Sequence, residues 1–244
     1  MNIITITLNP AFDIHYQMKD FSLYKENYAD SVLIAAGGKG VNVSRALSNN
    51  YIDNTAYIVL GEENASDFIS ILKKDNLNYK VIYSKGRIRE NITIHVPQVP
   101  ETRISLDNFC LSPDILNQLL EELERVVGKN TIVSFAGRIP KGLSTDCVMN
   151  FLMELHNLGC LLVVDCNSFT MKDLLCIKPW LIKPNEQEIQ TLISERIKTA
   201  EQARIAALKI HDMGIENVII SMGEKGAGAA TADFSCIIET PYIK

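Results

Sequence analysis

The sequence predicts an α/β fold: a mostly parallel sheet covered by helices on both faces, with a small β lid appended. Two observations carry the main domain. Short β-branched runs alternate with longer helical patterns, and several of those runs are continuously apolar, as strands buried on both faces are. A third observation carries the lid. Residues 12–36 and 87–107 break the rhythm, and in the second segment Ile92, Ile94 and Val96 alternate with polar residues, as in a strand with one wet face.

Residues 3–8, 55–60, 131–135, 161–165, 180–183 and 218–221 are the strands expected of the parallel sheet. The apolar run 32–36 reads as a further strand leading through AAGGKGVNVSRAL into a helix. Ser112 and Pro113 offer an N-cap and a first helical residue. The apolar stripe of that helix is Ile115, Leu116, Leu119, Leu120, Leu123, Val126 and Val127. Thr199 with Gln202 reads as a capping box ahead of Ala203, Ala206, Ala207 and Ile210, which share one helical face.

The bulk properties exclude several function classes. A net charge of -5 over 244 residues leaves no basic stripe for displacing counterions, so no nucleic acid partner is expected. A small anionic ligand needs only a few local cations and stays open. No apolar run approaches a membrane span, and the N-terminus lacks a basic region ahead of a long apolar one. The expectation is a cytoplasmic protein with no membrane partner. The six cysteines contain no C-x-x-C and the four histidines no H-E-x-x-H, so no metal cluster is spelled out and the thiols are expected to be reduced and mostly buried. An exposed lid sheet makes a homodimer through the lid a reasonable expectation.

Candidate sites fall near strand ends, where α/β proteins bind ligands. In AAGGKGVN a glycine turn feeds a helix start, which presents free N–H groups to an anion, with Gly38, Lys39 and Asn42 the candidates. A tight turn with a solvated lysine reads the same residues equally well. Asp13, in LNPAFD, is placed to accept hydrogen bonds from vicinal hydroxyls, or simply to cap a turn. Arg89 and Asn91 put a forked cation and an amide on one face of a lid strand, and arginine reads phosphate bidentately. Arg138, in AGRIPKG, is expected to reach the same crevice. In LIKPNEQE, Asn185 and Glu188 are suited either to a helix cap or to holding water on Mg²⁺. SMGEKGAG is a glycine-rich turn suited to close backbone approach, or a hairpin.

TLNPAFD, GGKGVNVSRAL, the G-R-I-P-K-G loop, LIKPNEQE and SMGEKGA, in this order, resemble the PfkB family of carbohydrate kinases, and the resemblance covers essentially the whole chain. It implies a ribokinase-like three-layer α/β/α fold with the lid strands inserted at about 12–36 and 87–107. It implies an acceptor sugar held by Asp13, Gly38 and Asn42, its existing phosphate gripped by Lys39 and Arg89, with Asn91 and Arg138 beside them. It implies ATP and Mg²⁺ at Lys183, Asn185 and Glu188, with Glu188 holding the metal through water, and a nucleotide loop at Ser221, Gly223 and Gly226. The activity implied is ATP-dependent phosphorylation of a ketohexose monophosphate, fructose 1-phosphate first. Tagatose 6-phosphate or an unphosphorylated sugar is the enzymatic alternative, and a non-catalytic sugar-phosphate-binding protein the alternative of another class. The family's G-A-G-D motif, which supplies an anion hole and a general-base aspartate, does not occur in residues 1–244, so that base is expected beyond residue 244 and no catalytic residue is named. Arg103 and Ser105 stand in ETRISLDNF where relatives favour an acidic residue and an asparagine.

Overall fold

The computed structural model describes residues 1–240, which form two compact units. The lid unit comprises Thr5–Ile115 and Pro140–Leu143. The other, called the C-terminal unit, comprises Met1–Ile4, Leu116–Ile139 and the chain from Ser144 onward.

The elements that build the lid unit run β1 (Asn2–Thr7), β2 (Ala11–Gln17), β3 (Ser31–Gly37), α1 (Lys39–Asn49), β4 (Thr55–Gly61), α2 (Ala65–Lys74), β5 (Tyr79–Ser84), β6 (Arg89–His95) and β7 (Thr102–Ser105). Strands β1, β4 and β5 lie side by side, with β4 and β5 parallel. A separate sheet has the order β3-β2-β6-β7. In it β2 is antiparallel to β3 and parallel to β6, and β6 is antiparallel to β7. Period-two side-chain alternation splits its residues between two faces. Phe12, Ile14 and Ala36 join the core of Val41, Ile58, Leu60, Phe68 and Leu72, where Phe12 meets Phe68 edge to face with ring centroids 5.3 Å apart. The polar residues between them, Asp13 and His15 on β2, stay half-exposed.

The C-terminal unit continues with α3 (Asp114–Glu124), β8 (Thr131–Ala136), α4 (Thr145–Asn157), β9 (Leu161–Asp165), α5 (Met171–Ile177), β10 (Leu181–Ile182), α6 (Glu186–Ile193), α7 (Ala200–Asp212), β11 (Asn217–Ser221), β12 (Ala227–Ala230) and β13 (Ser235–Ile238). Its strands lie in the order β13-β12-β11-β10-β9-β8. From β8 to β11 all neighbours are parallel, and β12 and β13 add an antiparallel edge. The buried faces are those the periodicity marks: Val148, Phe151, Leu152 and Leu155 of α4, and Ala203, Ala206, Ala207 and Ile210 of α7. Small residues on α7 permit a close approach to β12, where a Cβ on Gly228 would lie 2.6 Å from Arg204 Cα.

Several expectations need correction. The apolar stripe drawn to Val127 ends sooner, because α3 stops at Glu124 and Val126 is exposed. Thr199 Oγ1 accepts from Gln202 N at 3.2 Å, but the Gln202 side chain accepts from Lys198 N, one residue before the cap, so the box is shifted. Of the two readings of the glycine turn after residues 218–221 the hairpin is the one observed, Ser221 pairing with Ala227, and β12 and β13 extend the sheet beyond it. The thiols are free, yet only Cys160 is buried; Cys110 and Cys176 are exposed. Among the described residues no helix is long and apolar enough to cross a membrane.

Candidate functional site

The polar face of the lid sheet is built in rows. Arg103, Thr93 and His15 stand in register across β7, β6 and β2, and Ser105, Asn91 and Asp13 form the next row. Together with Gly38, Lys39 and Asn42 at the start of α1, and with Arg89, they line a cavity of about 230 Å³. Asn91 Nδ2 donates to Asp13 Oδ1 at 2.8 Å, and Arg89 Nη1 donates to Asn91 Oδ1 at 2.9 Å. One amide therefore bridges a cation and a carboxylate, which fixes both side chains and the orientation of the amide. Arg89 Nη2 also donates to the Asn9 carbonyl at 3.4 Å. Lys39, Arg89 and Arg103 join Asp13 in this lining, Arg103 also being paired with Glu101 at 3.2 Å, and cations gathered on one wall suit an anion. The N-terminus of α1 adds to it.

The three glycines at the start of α1 have separate jobs. Gly38 caps the helix with φ of 116°, a left-handed value that favours glycine, and it lines the cavity. At Gly37 a Cβ would overlap the Asp13 carboxylate, and at Gly40 it would lie 2.7 Å from the Ile6 carbonyl oxygen. All three are therefore needed by the protein's own backbone and packing, since a Cβ on Gly38 would also lie 2.8 Å from Thr7 Cγ2. Asp13 lies within β2 rather than in the loop after β1.

Asn42 is positioned by Arg45, whose Nη1 donates to Asn42 Oδ1 at 2.7 Å. Arg45 Nη2 bonds the Ala36 carbonyl at 2.6 Å and Asp75 Oδ2 at 2.9 Å. Sequence reasoning passed over this arginine, as it did His15 and Thr93. Extending the period of two from Asp13 along β2 and from Asn91 along β6 would have found the last two.

In the C-terminal unit, β10 leads through Lys183 and Pro184 to Asn185, the N-cap of α6. Asn185 Oδ1 accepts from Gln187 N at 2.8 Å and Glu188 N at 2.9 Å, and Glu188 Oε2 accepts from Asn185 N at 3.0 Å. This is a reciprocal capping box. Lys183 Nζ lies 3.3 Å from Asp165 Oδ2 at the end of β9. Lys183, Asn185, Glu188 and Asp165 line one cavity of about 260 Å³. Asn185 also lines an adjoining one with Ser221, Gly223, Arg196 and Lys198. Gly226 closes the hairpin at φ of 94°, where a Cβ would overlap the Ile238 carbonyl of β13, and it is not among those lining residues. Arg138, after β8 in this unit, is not among the residues that line the lid cavity.

A cavity with cations in its wall on a small polar sheet, and a capped helix start beside a lysine at a parallel strand's end, are features that a phosphotransferase acting on a small molecule would use. The comparisons make the class specific. The chain matches the pfkB family of carbohydrate kinases over residues 7–244, and it belongs to that family. It is 29% identical over 226 residues to the 1-phosphofructokinase of Haemophilus influenzae, covering 93% of this chain and 72% of that protein. To the 1-phosphofructokinase of Escherichia coli K12 it is 24% identical over 241 residues, 99% of this chain and 77% of that one. The crystal structure of phosphofructokinase-2 from Escherichia coli in complex with fructose-6-phosphate matches all of this chain and 81% of its own, with a TM-score of 0.92 at 23% identity. The fold is thus ribokinase-like α/β, with a large mostly parallel sheet, helices and a smaller sheet.

Proposed function

We propose that the protein phosphorylates a ketohexose monophosphate with ATP, fructose 1-phosphate to fructose 1,6-bisphosphate being the first candidate. The observation that carries this reading is the lid cavity, where Lys39, Arg89 and Arg103 surround the Asp13–Asn91 pair. A plain sugar would use the carboxylate and the amide. A phosphate monoester would in addition engage the guanidinium and ammonium groups of the same cavity, which is what supports a phosphorylated acceptor. In this reading Asp13, Gly38 and Asn42 hold the sugar while Lys39 and Arg89 hold the phosphate.

The donor side rests on Lys183, Asn185, Glu188, Ser221 and Gly223, with Gly226 shaping the turn behind them and Lys183 neutralising phosphate charge. Among the described residues no group of three or more His, Cys, Asp or Glu side chains could enclose a metal ion. Mg²⁺ takes one or two carboxylates and completes its shell with water and phosphate oxygens. Glu188 would hold it through water, and the ion would neutralise charge on the transferring phosphoryl group. The chain's own residues contribute positioning and electrostatics, the main terms in such a transfer.

The lid's exposed apolar residues support self-association. Val32, Leu33 and Ile34 on edge strand β3 are 54%, 65% and 48% exposed, a surface that edge strands ordinarily blunt with charge. A homodimer through the lid would cover them. Free thiols agree with a cytoplasmic, reducing compartment.

The test is an ATP-dependent assay of the purified protein with fructose 1-phosphate, tagatose 6-phosphate and fructose, repeated for Arg89→Ala. Turnover with a phosphorylated acceptor is expected, and the variant should raise KM for it by about tenfold or more while leaving fructose little changed. Equal effects on both acceptors would remove the phosphate clamp.

A further inference from the structure

His15 lines the lid cavity, and its Nδ1 lies 2.9 Å from His95 Nε2. The rings are tilted by only 19° with centroids 5.2 Å apart, a separation that an in-line N···N hydrogen bond accounts for, so they meet edge to edge. Beyond them, His95 Nδ1 is 3.8 Å from Glu101 Oε2, and Arg103 Nε is 3.2 Å from Glu101 Oε1. Arg103 lines the same cavity. The chain of contacts thus leaves the cavity through His15 and returns to it through Arg103.

We infer that His15 and His95 share one titratable proton and that this proton makes the lid cavity selective for an anionic acceptor. An N···N hydrogen bond holds a single proton, so the tautomers of the two rings are linked. In the neutral pair the Glu101 carboxylate favours a proton on His95 Nδ1. His95 Nε2 then accepts, His15 Nδ1 donates, and His15 Nε2 is left as a lone pair. A proton taken from solvent adds at His15 Nε2, while the bridging proton moves to His95, whose positive charge then lies beside Glu101. The one nitrogen of His15 not used by His95 thereby changes from acceptor to donor. A phosphate monoester selects the protonated form; a neutral sugar has no such preference.

Charged groups surround the pair on its own strands and on neighbouring elements. They are Asp13 on β2, Lys39 on α1, Arg89 on β6, Arg103 on β7 and Glu101 ahead of β7, with the Lys19–Asp30 pair near the far end of the sheet. Leu33, directly opposite His15 on β3, is apolar. Among these groups only an imidazole nitrogen can exchange the roles of donor and acceptor, so a change of proton in this cluster falls to the histidines.

This inference rests on the sugar-phosphate reading for its ligand but not for the pair itself, and the experiment separates the two. The imidazole nitrogens of the ¹⁵N-histidine-labelled protein are followed by NMR across about pH 5 to 8, without and with saturating fructose 1-phosphate. His15 and His95 should titrate together with one proton between them, while His156 and His211 serve as internal controls. Fructose 1-phosphate should raise the shared midpoint by about one pH unit, equivalent to about tenfold tighter binding by the protonated form. Acceptor affinity then falls as pH rises through that midpoint. His95→Gln should uncouple His15 and abolish the ligand-induced shift, and Glu101→Gln, a milder change, should lower the midpoint. Independent titration of the two rings, or tight fructose 1-phosphate binding that leaves the midpoint in place, would overturn the inference. Coupled titration in a protein that binds no fructose 1-phosphate would sustain the pair and remove the substrate reading.

Discussion

Gly37 leaves the place of its missing side chain to the carboxylate of Asp13, so that a Cβ on Gly37 would overlap both Asp13 oxygens. The two residues are diagonal neighbours on one face of the β2–β3 ladder, where Ala11 pairs with Gly37 and Asp13 with Ala35. Gly37→Ala should therefore turn Asp13 out of its rotamer and break its 2.8 Å bond to Asn91. The expected result is an acceptor affinity lowered by about tenfold, the scale of one hydrogen bond, with little loss of thermal stability. Calorimetric titration with fructose 1-phosphate beside a melting curve checks both.

Gly40→Ala should do the reverse. Its Cβ would meet the backbone of β1, 2.7 Å from the Ile6 carbonyl oxygen, which has no flexible end to move aside. Overpacking of this kind costs about 1–3 kcal/mol, so Tm should fall by several degrees. A Tm unchanged within a degree would mean that α1 shifts freely against β1.

The pair of glycines also shows where the sequence stops being legible. The parallel strands and the amphipathic helices could be read from periodicity, because burial against a layer imposes it. AGAA in β12 could not, since alanine and glycine carry no strand preference and only pairing with β11 and close packing on α7 make it one. The glycines of AAGGKG marked close approach correctly, yet what approaches two of them is Asp13 and β1 rather than a ligand. Asp13, Lys39, Asn42, Arg89 and Asn91 were identifiable singly, by residue type, and they do line one cavity. Arg45 and the His15–His95 contact depend on pairings between residues 30 and 80 positions apart, which no local pattern encodes.

At the start of α6 the same residues serve a cap and a candidate metal site, and two variants separate these roles. Asn185→Ala removes the acceptor for Gln187 N and Glu188 N and should cost about 1 kcal/mol of stability. Glu188→Gln keeps an oxygen for the Asn185 amide and should leave Tm almost unchanged. Its effect should fall on nucleotide, with KM for MgATP raised severalfold, because an amide draws hydrated Mg²⁺ less strongly than a carboxylate. Denaturation curves and initial rates at varied MgATP distinguish them. Loss of stability in both variants would assign Glu188 to the cap alone.

Burial pushes the Cys160 thiol up to about 11, and the bond to the Leu155 carbonyl at 3.2 Å leaves its S–H engaged. Cys110 and Cys176 are exposed. At about pH 8 a maleimide should label these two quickly and reach Cys160 only after unfolding, because the thiolate is the reactive form. The sign of the pH effect follows. The folded protein holds this proton more tightly than the unfolded chain, so stability that is complete below the ordinary thiol value of 9.0 is lost as pH rises towards about 11. Cys160→Ala should remove that alkaline component, which pH-dependent denaturation curves for both proteins would reveal.

Arg45 ties the acceptor cavity to the body of the lid unit. Its guanidinium joins Asn42 on α1, the Ala36 carbonyl near the end of β3, and Asp75 at the C-cap of α2. The ion pair with Asp75 is partly buried, with side chains 25% and 30% exposed, so solvent screens it only in part. Arg45→Ala should lower stability by about 1–3 kcal/mol, since the Ala36 carbonyl and the Asp75 carboxylate both lose a partner. It should also raise KM for the acceptor, as Asn42 loses the bond that orients it. Arg45→Lys supplies the positive charge without the fork that reaches three groups at once, so it should recover part of the stability and little of the KM. A lysine variant that restores both would reduce the role of Arg45 to charge alone, and would leave Asn42 oriented by the helix rather than by its neighbour.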